Sequence, residues 1–168
     1  MLLFLPASSD GEASRIVDDA VRGLLELHEG PLLVADLRPT SVAKAAPNTP
    51  RSTEDAFLSW ETPSPDLVTV AHPFAGRHDL VAYAASQEFA AAIDRARRGY
   101  AFVLAIGDAL RSSVETLIVA ARCDGVILAV TPGRTTRTDV QRTVEQLRRG
   151  RAHVAGFVVE ARSRKREV

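Results

Sequence analysis

Apolar residues in this chain fall into short runs of strand length, separated by stretches of helical periodicity. Leu2 to Leu5 is the first run, and Pro6, Ser8, Ser9, Asp10 and Gly11 close it with turn-forming residues. Ile16, Val17, Ala20, Val21, Leu24, Leu25 and Leu27 then recur at the spacing of one helix face. Leu32 to Asp36 is the second run, so the chain opens with a strand, loop, helix and strand of crossover length. Leu67 to Ala71, Phe102 to Ile106, Gly125 to Thr131 and His153 to Val159 complete six predicted strands. Leu80 to Arg98 reads as one helix with Phe89, Ala92, Ile93 and Ala96 on a single face; Arg95, Arg97 and Arg98 near its end suit the helix dipole. Val114 to Ala121 reads as another helix. The stretch from Thr131 to Leu147 holds a further one, with Thr135 or Thr136 as its N-cap. This alternation predicts a three-layer α/β domain with a mostly parallel sheet.

Residues 39–66 interrupt the pattern with Pro39, Pro47, Pro50, Pro63 and Pro65 among Ser, Thr and Asn. One apolar cluster, Ala56, Phe57, Leu58 and Trp60, suggests a short helix near Ser52 to Ser59. Trp60 reads either as a partner-facing anchor or as a lid over the sheet edge, and a connection this long usually carries function. Residues 161–168 are rich in Arg, a basic tail that either touches an acidic surface or is simply solvated. The expected organisation is one α/β domain over residues 1–160 followed by that tail.

Composition narrows the function classes. A chain of 168 residues with 46% hydrophobic content can bury a sizeable core. Twenty-one basic and twenty-one acidic residues cancel, which counts against a general nucleic-acid binder. The single cysteine, Cys123, excludes an internal disulfide and a cysteine zinc cluster, and is expected to be a small buried residue at a helix end. His72 and His78 flank a turn with no carboxylate or second imidazole at ligand spacing, so no metal site is expected. The start MLLFLP lacks a basic leader, and no apolar run approaches spanning length, so a soluble, cytoplasmic protein is expected.

Several segments together carry a resemblance. The loop Asp10-Gly11-Glu12-Ala13-Ser14-Arg15-Ile16 and the strand Leu33-Val34-Ala35-Asp36-Leu37-Arg38 are similar to the opening of the bacterial tyrosine autokinases of capsule and exopolysaccharide assembly. These are P-loop relatives of the partition and division-site ATPases, which write the loop Pro-Gly-Glu-Gly-Lys-Ser-Thr and end the strand Asp-Ala-Asp-Leu-Arg. Tyr100 to Ala109 resembles their Tyr-Asp-Phe-Val-Ile-Ile-Asp-Ser-Pro-Pro strand, and Phe74-Ala75-Gly76 is a loose match to their Pro-Ala-Gly turn. Asp124 to Val130 resembles their Asp-Gly-Val strand, and Gly133 to Val140 their Gly-Lys-Thr-Thr-Arg-x-Asp-Val helix opening. The resemblance implies a P-loop-NTPase-like fold.

The same alignment implies a degenerate pocket. Ser14 stands where the phosphate lysine belongs, and Arg15 where the magnesium-binding hydroxyl belongs. Ala13 adds a Cβ where the family has glycine. Val34 and Ile106 replace strand aspartates, Asp108 lies past the strand end, and Glu160 replaces the purine-reading asparagine. The tail has no tyrosine cluster; Tyr83 and Tyr100 are the tyrosines of the chain. The expectation is a pseudo-kinase with no cofactor, acting by binding a co-polymerase, a kinase or another component of polysaccharide assembly and export. Such a partner would be membrane-anchored and hold the chain at the inner membrane, and self-association stays open. Arg15, Arg38, Arg111 and Trp60 are the candidate contacts. Two alternatives stand beside it: an active tyrosine kinase or ATPase binding ATP and magnesium through Arg15, Asp36 and Asp108, and a partition-type relative binding nucleic acid through the tail.

Overall fold

Each predicted apolar run becomes a strand, and all six strands lie parallel in one sheet. The structure is a computed structural model and describes residues 1–9, 13–27, 30–38, 68–74 and 77–160. The predicted helix at Ser52 to Ser59, Trp60 and the basic tail lie outside the described residues. In chain order the elements are β1 (Leu2–Pro6), α1 (Ser14–Leu27), β2 (Leu32–Asp36), β3 (Val68–Ala71), α2 (Leu80–Ala85) and α3 (Gln87–Gly99). They continue with β4 (Phe102–Ile106), α4 (Val114–Ala120), β5 (Gly125–Val130), α5 (Arg137–Arg149) and β6 (Val154–Val159). The strand order is β3-β2-β4-β1-β5-β6.

Alternation along each strand divides the core in two. Leu3, Leu5, Leu33, Ala35, Val103, Ala105, Val126 and Leu128 pack with Phe89, Ile93, Val119 and Leu147 from α3, α4 and α5. Their neighbours Phe4, Leu32, Val34, Leu104, Ile106 and Ala129 face the other way and pack with Ile16 and Val17 of α1. A sheet buried on both faces needs apolar residues at successive positions, which explains why its strands read as continuous runs. Leu27, placed on the apolar face of α1 by periodicity, is 77% exposed as the last residue of the helix.

Pro6 was expected in the turn, yet it closes β1, a central strand. Phe4 O accepts from Gly107 N, so alternate residues of β1, Pro6 included, aim their backbone groups at β4. β4 pairs with β1 only as far as Phe4 and Ile106. At Pro6 the neighbouring strand has already diverged, and the missing N–H costs no ladder bond.

The single helix expected from Leu80 to Arg98 is two helices broken at Ser86. Its backbone is extended, with φ −70° and ψ 161°, and its Oγ accepts from Phe89 N at 3.1 Å. The same hydroxyl donates to Tyr83 O at 2.7 Å, so one side chain ends α2 and starts α3. The apolar period continues across the break, which is why periodicity alone could not see it. Thr136 caps α5 in a capping box with Asp139, resolving the choice between Thr135 and Thr136. Cys123 follows α4, half-buried, its Sγ donating to Val119 O, with burial pushing the thiol up to about 12. Among the described residues no helix is long and apolar enough to cross a membrane.

Replacing Ser86 with Ala removes the N-cap acceptor of α3 and should cost about 1 kcal/mol of stability. Urea unfolding of Ser86→Ala beside Ser86→Thr checks this: the threonine, which keeps a hydroxyl, should preserve most of the stability that the alanine loses.

Candidate functional site

In an open parallel sheet ligands meet the carboxyl ends of the strands, at the point where successive crossovers leave for opposite faces. Here that point lies between β1 and β4, because α1 covers one face while α4 covers the other. Asp36 ends β2 beside it, buried at 7% exposure. Its Oδ1 accepts from Arg38 N at 3.1 Å and from Arg38 Nε at 2.9 Å, and its Oδ2 from Arg38 Nη2 at 2.8 Å. The third guanidinium nitrogen, Nη1, donates to Ser14 Oγ at 2.8 Å. The Arg38 fork therefore clamps the end of β2 to the first residue of α1. A bidentate arginine–carboxylate pair of this kind is strong and geometrically specific.

Asp108 lies just past β4 in the field of the same pair. Burial raises its carboxyl above the ordinary value of 3.8, Arg38 opposes this, and Asp36 and Glu115 add to the rise. Gly107, between Asp108 and the strand, has Thr116 Cγ2 at 3.1 Å and Leu3 Cδ1 at 3.3 Å from where a Cβ would stand. A side chain there would press on both, so glycine keeps the β4 turn close to β1. A cavity of about 410 Å³ extends from the clamp along α1, with Val21, Val34, Val68, Val70 and Ile106 as its apolar wall.

A second polar group lies across β1 and β5. Arg15 and Glu160 form an ion pair at 3.7 Å, and Thr131 Oγ1 donates to Glu160 Oε2 at 3.4 Å. Arg15 is mostly exposed, so screening leaves this pair little stabilising value. Ser8 Oγ lies 3.2 Å from Thr135 Oγ1, which also accepts from Thr131 N at 3.1 Å.

The strand ends thus bring Ser14, Asp36, Arg38 and Asp108 together on one side of β1, and Arg15 and Glu160 on the other. Asp10, Gly11, Glu12 and Trp60 lie outside the described residues. Ala13 is buried with α1, and its carbonyl accepts from Val17 N. Val34 and Ile106 are buried apolar side chains facing α1. Arg111 is exposed, whereas the Arg38 guanidinium turns inward. The inward turn was not foreseen; the two-residue spacing of Asp36 and Arg38 beyond a strand end was its signal. Nothing in the sequence announced the Ser8–Thr135 contact, made across 127 positions.

Comparison with solved structures decides the fold. The VpsO kinase domain matches with a TM-score of 0.76, at 13% identity over 96% of this chain and 85% of that one. The kinase domain of the Escherichia coli tyrosine kinase ETK gives 0.75, at 10% identity over 98% and 69%. The MinD cell division protein of Aquifex aeolicus gives 0.66, at 12% identity over 94% and 67%. The fold is P-loop-NTPase-like. No protein-family model matches the sequence, and no curated protein does. On this P-loop-type frame α1 starts at Ser14, and Lys44 and Lys165, the lysines of the chain, lie outside the described residues. Every cationic side chain described at the strand ends is therefore a guanidinium.

Arg38→Leu strands a buried carboxylate and should cost about 2 kcal/mol, below the full penalty for a sealed pair because Arg38 keeps some solvent contact. Joint replacement of Asp36 and Arg38 by Leu should restore most of it, as thermal melts of the three variants would show. Asp108 has a raised folded-state value, so its contribution is complete below 3.8 and is lost as pH rises through that raised value. Asp108→Asn should accordingly melt at or above wild type at pH 7, with the gap closing near pH 3.

Proposed function

We propose that this chain is a non-catalytic, regulatory relative of the tyrosine-kinase-like P-loop domains and acts by holding a protein partner. The observation that carries the reading is the Arg38 clamp. Ser14 and Asp36, the residues at the helix start and strand end where a phosphate and its metal would be expected, are both committed to one guanidinium. The state of Asp36 counts against a hydrated magnesium ion, although Asp108 remains a carboxylate beside it. Such an ion favours one or two carboxylates in octahedral geometry, yet Asp36 accepts from Arg38 through both oxygens, and Val34 and Ile106 offer no oxygen.

The biological setting follows from the resemblance: the partner would be a component of polysaccharide assembly or export, and Arg15 and Arg111 the charges that meet it. Arginine suits that role because its fork is weakly hydrated and binds bidentately. The rival reading, a rewired ATP site, draws on Asp108, whose raised carboxyl beside Arg38 is the kind of perturbed group that active sites collect.

Calorimetric titration with ATP and magnesium separates the two. No saturable binding at millimolar nucleotide is expected, and micromolar, metal-dependent binding would instead establish the rewired site. Ser14→Lys alone should give no ATP turnover, because phosphate and metal groups act as a unit. Arg15→Glu with Arg111→Glu should leave the melting temperature nearly unchanged while weakening capture of the partner from lysate.

A further inference from the structure

The chain is neutral as a whole, but its charge is unevenly placed. Residues 131–168 carry ten basic and four acidic side chains, which leaves eleven against seventeen for residues 1–130. Three of those four acids are already engaged: Asp139 in the capping box with Thr136, Glu145 with Arg149, and Glu160 with Arg15 and Thr131. Arg137, Arg148 and Arg151 are exposed, and among the described residues their side chains have no ion pair or hydrogen bond. Elsewhere Arg22, Arg38, Arg77 and Arg97 each meet a carboxylate.

The packing of α5 sets where these charges face. One flank of the helix meets α4: a Cβ added at Gly150 would stand 2.6 Å from Leu117 Cδ1, and Asp139, on the same flank, lies in the field of Arg111 just before α4. Arg137 and Arg148 lie on the opposite flank, about three helical turns apart. α4 leads into β5 and α5 leads from β5 to β6, so the flank away from α4 looks toward β6. Phe157 pairs with Leu128, which shares the core with Leu147 of α5, so Phe157 and Val159 project on the α5 side of the sheet. They are 68% and 52% exposed. Unpaired guanidinium groups and apolar tips thus share one border of the molecule. Arg151 follows α5 with φ 59°, in the left-handed region where glycine is usual after a helix.

We propose that this border docks directly on a bilayer surface rich in anionic phospholipid. The guanidinium groups meet lipid phosphates bidentately, and Phe157 and Val159 enter beneath them, as interfacial elements do. A nucleic acid fits less well. Proteins that hold single strands set several stacking rings along a basic groove, and here one ring stands among valines. Arg162, Arg164, Lys165 and Arg166 add charge of the same sign soon after β6 in the sequence. This inference depends neither on whether the strand ends bind nucleotide nor on the protein partner proposed above.

Co-sedimentation of the full chain with phosphatidylcholine vesicles, with and without an equal share of phosphatidylglycerol, is the test. Binding to the anionic vesicles alone is expected, and it should weaken as salt is raised. Arg137→Ser, Arg148→Ser and Arg151→Gly together should lower partitioning by about fivefold for each charge removed. Phe157→Ser should lower it at unchanged charge. Arg151→Gly alone separates binding from folding: glycine suits the left-handed backbone, so this variant should melt close to wild type or above it and still bind several-fold less. Arg98→Ser removes an exposed charge from α3 and should leave binding nearly unchanged. No binding to either vesicle, binding indifferent to phosphatidylglycerol, a triple variant that binds like wild type, or tighter binding of a DNA or RNA oligonucleotide than of anionic vesicles at the same salt would each overturn the proposal.

Discussion

The handedness of parallel crossovers is the constraint from which the rest of this structure follows. A crossover between parallel strands is right-handed because twisted strands and right-handed helices repack no other way. From β1 the chain moves to β2 on one side, and α1 is carried onto one face of the sheet. From β3 to β4, β4 to β5 and β5 to β6 it moves in the opposite direction, so α2 to α5 all fall on the other face. One face is thus layered with four helices, while α1 lies on its opposite. The same reversal opens the crevice between β1 and β4.

That crevice is where the chain departs from what its fold is suited to do. A P-loop-type frame directs a helix start and several strand ends at one point, a favourable place for an anion. Here a guanidinium from the chain itself answers the acceptors. A buried ion pair is weak evidence for stability in itself, because desolvation of both charges offsets much of their attraction. Its effect is better described as geometric: it ties β2 to α1 and leaves Asp108 in a crowded field, with a carboxyl harder to ionise. A site built this way holds its own polar groups in place and has an apolar cavity beside it.

The outer edge of β6 follows from the same topology. Each rightward step adds a strand at that side of the sheet, and among the described residues the last one added has a neighbour on only one edge. Apolar residues on both of its faces are what a central strand needs, and they are in place on a strand at the end of the sheet.

Strand positions and the parallel α/β class were legible in the sequence because a strand buried on both faces leaves an unbroken apolar run. Five of the helical segments were legible only as four, since Ser86 interrupts the backbone without interrupting the period. Which residues gather at the strand ends was also readable in outline, for the turns after β1, β2 and β4 must converge in any right-handed parallel sheet. The partners of those residues were not. The spacing of Asp36 and Arg38 allowed a local pair, but not its reach to a third residue. The packed position of α1 sets Ser14 within 2.8 Å of the guanidinium that Asp36 holds, and so joins the two elements. Hydrophobic pattern is a property of each segment and survives in one dimension. A hydrogen bond between remote side chains depends on how segments are placed, and tertiary packing alone decides that.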